Sequence, residues 1–356
     1  MIKIITIIGA RPQFIKAATV SREIRKQNGI REIIVHTGQH FDANMSEVFF
    51  EQMDIPRPDY NLGINSLSHG AMTGQMLEKI EAVLLKEQPD WVMVYGDTNS
   101  TIAGALAAKK LHIKVAHVEA GLRSFNMRMP EEVNRILTDR ISDVLFCPTK
   151  KAVENLYAEG YKNFDCRIVQ SGDVMQDAAN YYRDKAMKPA KKLPENFLLA
   201  TIHRAENTDY PEKMKAIFTA FEEIGKELPV VLPLHPRTRK MMEKLNVNVD
   251  IDRVVLIDPV GYLEMVWLLS HASMVMTDSG GLQKEAYFFD NVCVTIRDET
   301  EWVELVEHGF NRITAAEKDA IIKTFQKSKN VKSDFSVELY GGGKASANIV
   351  NKILEL

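Results

Sequence analysis

Short apolar runs alternate with longer amphipathic segments along the chain. The runs are rich in Val and Ile and lie at 3–8, 32–36, 91–95, 113–118, 144–147, 167–170, 197–202, 229–234, 273–277 and 293–296. Apolar runs of this length are typical of strands covered on both faces, as in parallel sheets flanked by helices. Segments with apolar residues at helical spacing separate many of them. The pattern therefore predicts an α/β protein with doubly wound parallel sheets.

The periodic pattern is interrupted at residues 187–195, where MKPAKKLPE combines two prolines with a lysine cluster. A chain of 356 residues also exceeds what one hydrophobic core usually supports. We therefore expect an N-terminal Rossmann-like domain over 1–186, a linker over 187–195 and a C-terminal Rossmann-like domain over 196–356. The last helix, from Ser346 onwards, is expected to pack back on the N-terminal domain.

Composition and charge narrow the class of protein. Charged residues make up 26% of the chain and leave a net charge of -3, so no basic surface for nucleic acid is indicated. The first apolar run is too short to span a membrane and has no basic leader before it. Cys147, Cys166 and Cys293 are far apart, which argues against a disulfide framework and fits a reducing compartment. We expect a cytoplasmic protein without nucleic-acid or membrane partners.

Three carboxylates lie where the N-terminal domain is expected to hold a ligand. Asp97 follows the strand at 91–95, Glu119 follows the strand at 113–118, and Glu131 comes directly after a helix-starting proline. Open parallel sheets bind ligands beyond the carboxyl ends of their strands, which favours a catalytic role for these groups. Two of them have a structural alternative, since Asp97 can cap the next helix and Glu131 can complement a helix dipole.

Cations and histidines follow other strands in the same way. Arg11 and Lys16 come after the first strand at a helix N-terminus, where backbone N–H groups already favour an anion. In the C-terminal domain, His203 and His235 each follow a strand and are accompanied by an arginine. A lone histidine is usually structural, but the repetition at two strand ends indicates binding of a phosphate or a sugar.

A strand, a glycine-containing turn and a helix follow one another around residues 273–288. The turn reads Asp278, Ser279, Gly280, Gly281, and Glu285 lies one turn into the helix. This order presents backbone N–H groups to a phosphate and a carboxylate to ribose hydroxyls, although an ordinary glycine turn is the alternative. The sequence contains no GxGxxG after its first strand, no GxxxxGK[ST] and no HExxH. We therefore expect no NAD, no P-loop nucleotide and no metal.

Nine motifs are spread over nearly the whole chain: GARPQFIK, YGDTNST, HVEAGLR, MPEEVNR, HRAEN, LPLHPR, IDPVGYLEMVWL, TDSGGLQKEA and RDETEWVE. In order and spacing they resemble those of the non-hydrolysing UDP-N-acetylglucosamine 2-epimerase family. The resemblance implies two Rossmann-like domains of the glycosyltransferase-B type, with a UDP-sugar in the cleft between them. It also implies a homodimer that needs no cofactor.

The resemblance also assigns roles to individual residues. Acid/base chemistry falls to Asp97, Glu119 and Glu131, and His203 is implied at the diphosphate. Contacts to UDP or the sugar are expected from Arg11, Lys16, Arg123, Arg135, His235, Ser279, Gly280, Gly281, Glu285 and Arg297. For Arg123 and Arg135 there is an alternative: they only keep the carboxylates ionised and in place.

The implied reaction inverts C2 of a UDP-N-acetylhexosamine by elimination and re-addition of UDP through a glycal, for surface polysaccharide precursors. The sugar is either UDP-GlcNAc, converted to UDP-ManNAc, or UDP-2,3-diacetamido-2,3-dideoxyglucuronate, converted to its manno epimer. The stretches ARPQFIKAA, SFNMRMPEE and RDETEWVELVE resemble the second branch more closely. The chain departs from the first branch at Phe41, Asp42, Trp302 and Val303, which bears on the substrate and on a second, activating UDP-GlcNAc site.

Three other functions fit the same architecture. A glycosyltransferase would pass the sugar to an acceptor without proton transfer at C2. A hydrolysing epimerase would release UDP and free sugar, and a nucleotide-sugar sensor would bind without turnover. The sensor leaves the strand-end carboxylates unexplained.

Overall fold

The computed structural model describes residues 1–39, 50, 54 and 57–356. Phe41, Asp42 and the helix predicted from Ser46 lie outside the described residues. The chain forms two compact units. The first unit comprises Met1–Ala178 with Leu339–Leu356, and the second comprises Ala179–Glu338.

The first unit contains a seven-stranded parallel sheet in the order β3-β2-β1-β4-β5-β6-β7. Its strands are β1 (Ile2–Ile8), β2 (Ile30–His36), β3 (Tyr60–Asn61), β4 (Trp91–Tyr95), β5 (Lys114–Val118), β6 (Val144–Cys147) and β7 (Arg167–Gln170). The helices described between and after them are α1 (Arg11–Arg25), α2 (His69–Glu87), α3 (Asn99–Lys110), α4 (Pro130–Ile141), α5 (Lys150–Ala158), a 3-10 turn at Tyr161–Asn163 and α6 (Val174–Arg183). Small residues let α3 lie close to the sheet, because a Cβ on Gly104 would stand 2.8 Å from Cδ1 of Ile7.

The second unit contains a six-stranded parallel sheet in the order β10-β9-β8-β11-β12-β13. Its strands are β8 (Leu198–Thr201), β9 (Val230–Pro233), β10 (Val254–Ile257), β11 (Met274–Thr277), β12 (Cys293–Ile296) and β13 (Asn311–Thr314). Its helices are α7 (Ala205–Thr208), α8 (Pro211–Gly225), α9 (Pro236–Leu245), α10 (Tyr262–His271), α11 (Gly280–Phe288), α12 (Val303–Glu307) and α13 (Lys318–Ser328). Apolar side chains from β8, β9 and α8 form the centre of its core, where Phe218 and Phe221 are buried.

The predicted linker belongs to the second unit. The backbone N–H of Met187 donates to the carbonyl of Leu263 at 3.1 Å, and Lys191 donates from Nζ to the carbonyl of Leu256 at 2.6 Å. The units divide earlier than the sequence indicates, within α6, because the Tyr182 ring packs edge-on against Tyr262 at 5.6 Å. Lysines and prolines mark this stretch as irregular, but they do not show which surface it packs on.

The C-terminal helix α14 (Ala345–Glu355) belongs to the first unit together with the rest of Leu339–Leu356. Asp177 accepts hydrogen bonds from the backbone N–H groups of Ala345 at 3.1 Å and Ser346 at 2.7 Å. The start of α14 is therefore fixed on the first unit by a carboxylate. In the described part of the chain, no helix combines the length and the apolar character needed to cross a membrane.

Both sheets change the direction of strand order at one place, between β1 and β4 in the first unit and between β8 and β11 in the second. Ligands of open α/β sheets bind beyond the carboxyl ends of the two strands at such a switch point. The residues after β1 and β4 are 9–16 and 96–99, and those after β8 and β11 are 202–204 and 278–281. Each unit thus brings two of the recognised motifs together.

Candidate active site

The first unit has a cavity of about 200 Å³ at its switch point. It is lined by Ala10, Pro12, Gln13, Lys16, Gln39, His69, Tyr95, Gly96, Asp97, Thr98, Asn99, Pro130, Glu131 and Asn134. These residues include the first turns of α1, α2, α3 and α4, so the positive ends of four helix dipoles converge on the cavity. The helix dipoles therefore contribute positive potential to a cavity that Lys16, Asp97 and Glu131 also line.

Lys16 and Glu119 form an ion pair beside the cavity, with side chains that are 10% and 11% exposed. Glu119 follows β5 directly and has a φ of 71°, which is the left-handed region. Gly96 has a φ of 62°, and a Cβ on it would lie 3.1 Å from Oε2 of Glu119 and 3.2 Å from Nζ of Lys16. A glycine is needed there both for the backbone turn and for the space that the ion pair occupies.

Asp97 lines the cavity, and its carboxylate accepts a hydrogen bond from Nη2 of Arg135. Its carboxylate is not the cap of α3, because the Thr98 side chain accepts the hydrogen bond from Thr101 N–H at 3.3 Å. Its side chain is 31% exposed, so part of the carboxylate faces solvent. Of the two interpretations of Asp97, the structure favours the one with the carboxylate available to a ligand.

Arg135 bridges two carboxylates and is 9% exposed. Nη2 contacts Asp97, and Nη1 donates to Oε2 of Glu132 at 2.5 Å. Burial alone would raise the pKa of Glu132, but the N–H of Ser124 and the charge of Arg135 bring that pKa below its ordinary value. These contacts are those expected if Arg135 keeps Asp97 ionised and in place, and a contact between Arg135 and the substrate stays a prediction.

Arg123 is buried more deeply than Arg135. Its side chain is completely buried, with Nε and Nη2 donating to Glu159 at 2.7 and 2.8 Å. Nη1 donates to Asp139 at 2.7 Å and to the carbonyl of Leu122 at 2.7 Å. These contacts fit the alternative role of Arg123, which is to hold a carboxylate in place, and its contact to UDP or the sugar stays a prediction.

Glu131 differs from the other two carboxylates. It lies in the first turn of α4, lines the cavity and is exposed. Among the described residues it forms no ion pair within 4 Å, whereas Asp97 and Glu119 each have a cation.

Arg11, at the first position of α1, is half-buried and lies next to the lining residues Ala10 and Pro12.

In the second unit, His203 follows β8 at the switch point and His235 follows the neighbouring strand β9. The ring centroids of His203 and His235 are 5.3 Å apart, and Nδ1 of His203 is 3.6 Å from Oδ1 of Asp278. Asp278 is fully buried and accepts the backbone N–H groups of His203 at 3.1 Å and Arg204 at 3.0 Å. Desolvation and the neighbouring His203 lower the pKa of His235. Through its two backbone hydrogen bonds, the Asp278 carboxylate, which follows β11, holds the residues that follow β8.

Ser279, Gly280 and Gly281 form the start of α11, as the sequence predicts, with Ser279 as the N-cap. Glu285 is half-buried within the same helix. A Cβ on Gly280 would stand 2.3 Å from Oε1 of Glu301, so that carboxylate lies directly over the helix start. Arg297 is 7% exposed and donates from Nη1 to Oε2 of Glu301 at 3.1 Å.

Several residues at these sites were not identified from the sequence as functional. Glu132 follows Glu131 and looks like a second first-turn acid, although it is fully buried. Trp302, noted only as a departure from a related branch, donates from Nε1 to the carbonyl of Gly280 at 2.9 Å. Glu301 carried no signal of its own, because an acid among other acids in RDETEWVE looks solvated.

A family model described as UDP-N-acetylglucosamine 2-epimerase matches residues 22–354. The chain belongs to this family. It is 57% identical over 356 residues to the UDP-2,3-diacetamido-2,3-dideoxy-D-glucuronate 2-epimerase of Pseudomonas aeruginosa, covering 99% of this chain and 100% of the relative. This chain is therefore itself an epimerase, an isomerase that acts at C2 of a UDP-sugar.

Solved structures of relatives agree with the fold. The Methanocaldococcus jannaschii UDP-GlcNAc 2-epimerase, crystallised with UDP-GlcNAc and UDP, has a TM-score of 0.88 and 41% identity, over 100% of this chain and 99% of that one. The Neisseria meningitidis enzyme bound to UDP-GlcNAc has a TM-score of 0.88 and 32% identity, over 100% of both chains. The predicted family and the two Rossmann-like domains of the glycosyltransferase-B type are confirmed.

Proposed function

We propose that the epimerase interconverts UDP-2,3-diacetamido-2,3-dideoxyglucuronate and its manno epimer, for surface polysaccharide precursors. The observation that carries this proposal is the 57% identity to the Pseudomonas aeruginosa enzyme of that specificity. Identity to the UDP-N-acetylglucosamine 2-epimerases of Methanococcus maripaludis and Escherichia coli is lower, at 41% and 32%. We also propose that the protein is located in the cytoplasm and forms a homodimer. Sedimentation of the purified chain tests the dimer.

The cavity of the first unit supports a division of labour among the carboxylates. Proton transfer at both faces of C2 needs two groups, and among the described residues Asp97 and Glu131 are the carboxylates that line the cavity. We assign the exchange of the C2 proton to this pair. Glu119 is not among the lining residues and forms an ion pair with Lys16, which is one of them. We therefore assign Glu119 to holding that cation, and proton transfer by Glu119 itself stays a prediction.

Departure of UDP needs stabilisation of negative charge, because the C2 proton beside an acetamido group is not acidic. Lys16, Arg11 and the helix N-termini supply positive potential in the first unit. In the second unit, the N–H groups at the start of α11, together with His203 and Arg297, are the groups suited to the diphosphate. Glu285 is assigned to the ribose hydroxyls.

A substrate panel in D₂O tests the proposed function. UDP-GlcNAc and UDP-2,3-diacetamido-2,3-dideoxyglucuronate are incubated separately with the protein, and the products are followed by NMR. We expect deuterium at C2 and a manno epimer from the diacetamido-glucuronate, with much slower conversion of UDP-GlcNAc. Faster turnover of UDP-GlcNAc would reassign the substrate. Accumulation of UDP with free sugar would instead indicate a hydrolysing epimerase.

Replacing Glu285 by alanine is expected to weaken UDP binding by about 10- to 100-fold, because a charged acceptor contributes about 1.5–3 kcal/mol per hydrogen bond. Isothermal titration with UDP measures the change. Glu285→Gln is the matched control, since it keeps an acceptor and is expected to lose less affinity. Equal affinity in the alanine variant and the parent would remove Glu285 from the ribose site.

Replacing Glu301 by glutamine is expected to tighten UDP binding by about 3- to 10-fold, equivalent to about 1 kcal/mol. The reason is that a carboxylate over Gly280 competes with a diphosphate for the start of α11. Glu299→Gln removes the same charge from an exposed position in the same loop and serves as the control. Weaker UDP binding in Glu301→Gln would contradict competition and show that Glu301 is needed to position Arg297.

A further inference from the structure

We propose that His117 and Asp139 form a positioning pair that fixes the two catalytic loops of the epimerase without contacting the substrate. One loop carries Asp97 after β4, and the other carries Glu119 after β5. The proposal rests on the function assigned to these carboxylates above. Both side chains of the pair are completely buried, so their effect on the reaction is exerted through the backbone.

The first contact fixes the Asp97 loop. Nε2 of His117 lies 2.8 Å from the carbonyl oxygen of Gly96. That carbonyl belongs to the peptide unit whose nitrogen is the backbone nitrogen of Asp97. Rotation of this peptide would turn the Asp97 carboxylate away from the cavity, and the imidazole opposes that rotation.

The second contact fixes the Glu119 loop. Nδ1 of His117 lies 2.7 Å from Oδ1 of Asp139, and Oδ2 of Asp139 accepts the N–H of Gly121 at 3.1 Å. Gly121 is two residues beyond Glu119, at the far side of the same turn. A single carboxylate on α4 is therefore joined to both loops, directly to one and through the imidazole to the other.

The loops need such a restraint because their backbones are unusual. Glu119 has a φ of 71°, Gly96 of 62° and Gly121 of 79°. A non-glycine residue with positive φ persists only where its surroundings over-determine it. Without the pair, Glu119 would be free to relax towards the negative φ values that its side chain prefers.

The hydrogen-bond pattern also defines the charge of the imidazole. A carbonyl oxygen and an ionised carboxylate are acceptors only, so His117 donates from both ring nitrogens and carries a positive charge. Arg123 and Glu159 complete the cluster, which holds two cations and two anions. Burial alone would raise the pKa of Asp139, but His117 and Arg123 bring that pKa below its ordinary value. The buried cluster is thus balanced in charge.

A pair of amide substitutions separates positioning from simple stabilisation. His117→Gln places a donor near the former Nε2, so it can keep the bond to the Gly96 carbonyl. His117→Asn places a donor near the former Nδ1, so it keeps Asp139 and releases the Asp97 loop. We expect His117→Asn to lower kcat by about 10- to 100-fold with KM nearly unchanged, because small misplacements cost rate more than binding. His117→Gln is expected to restore most of that loss.

Ile80→Val is the control for stability, since it removes a methyl group from a fully buried side chain of α2, a helix that includes neither loop. This variant is expected to have a lower Tm than the parent and the same kcat. Rates are measured with whichever UDP-sugar the parent converts, so a wrong substrate assignment would not affect this comparison. If kcat follows Tm across all three variants, or if the glutamine variant is no better than the asparagine variant, the positioning role is overturned.

A measurement on the parent protein covers the case in which a variant does not fold. Selective ¹⁵N labelling of histidine reports the protonation of both ring nitrogens. The proposal expects His117 to show two protonated ring nitrogens with slowly exchanging protons. A single protonated nitrogen in the folded enzyme would leave one of the two contacts without a donor and overturn the proposal.

Discussion

The Glu131→Gln variant is expected to lose about 10²- to 10⁴-fold in kcat while it keeps the UDP affinity of the parent, because a positioned acid or base contributes about that factor. Glu131 lines the cavity and has no ion pair among the described residues. Its removal therefore leaves no buried cation behind, and the fold is expected to be unaffected. Steady-state epimerisation followed by NMR gives kcat, and titration with UDP gives the affinity.

Glu132→Gln is the matched control, because the two glutamates are neighbours in the sequence but differ in surroundings. Glu132 is fully buried against Arg135 and the Ser124 N–H group. Breaking a buried ion pair costs about 3–5 kcal/mol of unfolding free energy, so this variant is expected to be unstable. Parent-like kcat in Glu131→Gln would exclude Glu131 from proton transfer and leave Asp97 to be tested next.

The second large effect is expected at Glu119. Glu119→Gln is expected to lower kcat by about 10²-fold or more and also to lower Tm, since Lys16 would lose its counter-charge at a site that is 10% exposed. Unlike Glu131→Gln, this variant is expected to change both activity and stability. Thermal unfolding and kcat are measured on the same preparation.

A double variant, Lys16→Met/Glu119→Gln, separates the two effects. Removing both charges leaves no unpaired ion, so Tm is expected to recover towards the parent value. Activity is not expected to recover, because the cation for the departing UDP is then absent. Recovery of kcat together with Tm would mean that the ion pair serves only the fold. Normal kcat in Glu119→Gln alone would remove Glu119 from the catalytic machinery.

The location of the site was predictable from the sequence because it depends on strand ends. Apolar runs mark the strands, and in parallel sheets the residues after them meet at one edge. This places Asp97, Glu119, His203 and Ser279 at the carboxyl ends of strands, where the structure has them: three at the two switch points and Glu119 beyond the adjacent strand β5. The boundary between the units was less accessible, because a Pro- and Lys-rich stretch does not show where it packs.

The partners of the charged side chains could not be predicted. Arg123 and Arg135 look alike in the sequence, yet one is buried between Asp139 and Glu159 and the other connects Asp97 to Glu132. Long-range side-chain pairing depends on how α4 packs against β5, and periodicity carries no information about that geometry. The same is true of His117, whose position inside an apolar strand gave no sign of its two hydrogen bonds.

The carboxylate of Glu301 over Gly280 has a consequence for selectivity. The Glu301 carboxylate lies beside Gly280 at the start of α11, so an anion that approaches this helix end is expected to meet that negative charge. Inorganic phosphate has only its negative charge with which to bind at this position. A nucleoside diphosphate also brings a base and a ribose, and the proposed contact of the ribose with Glu285 would favour its binding. Glu301 is therefore expected to disfavour inorganic phosphate at this position more than UDP.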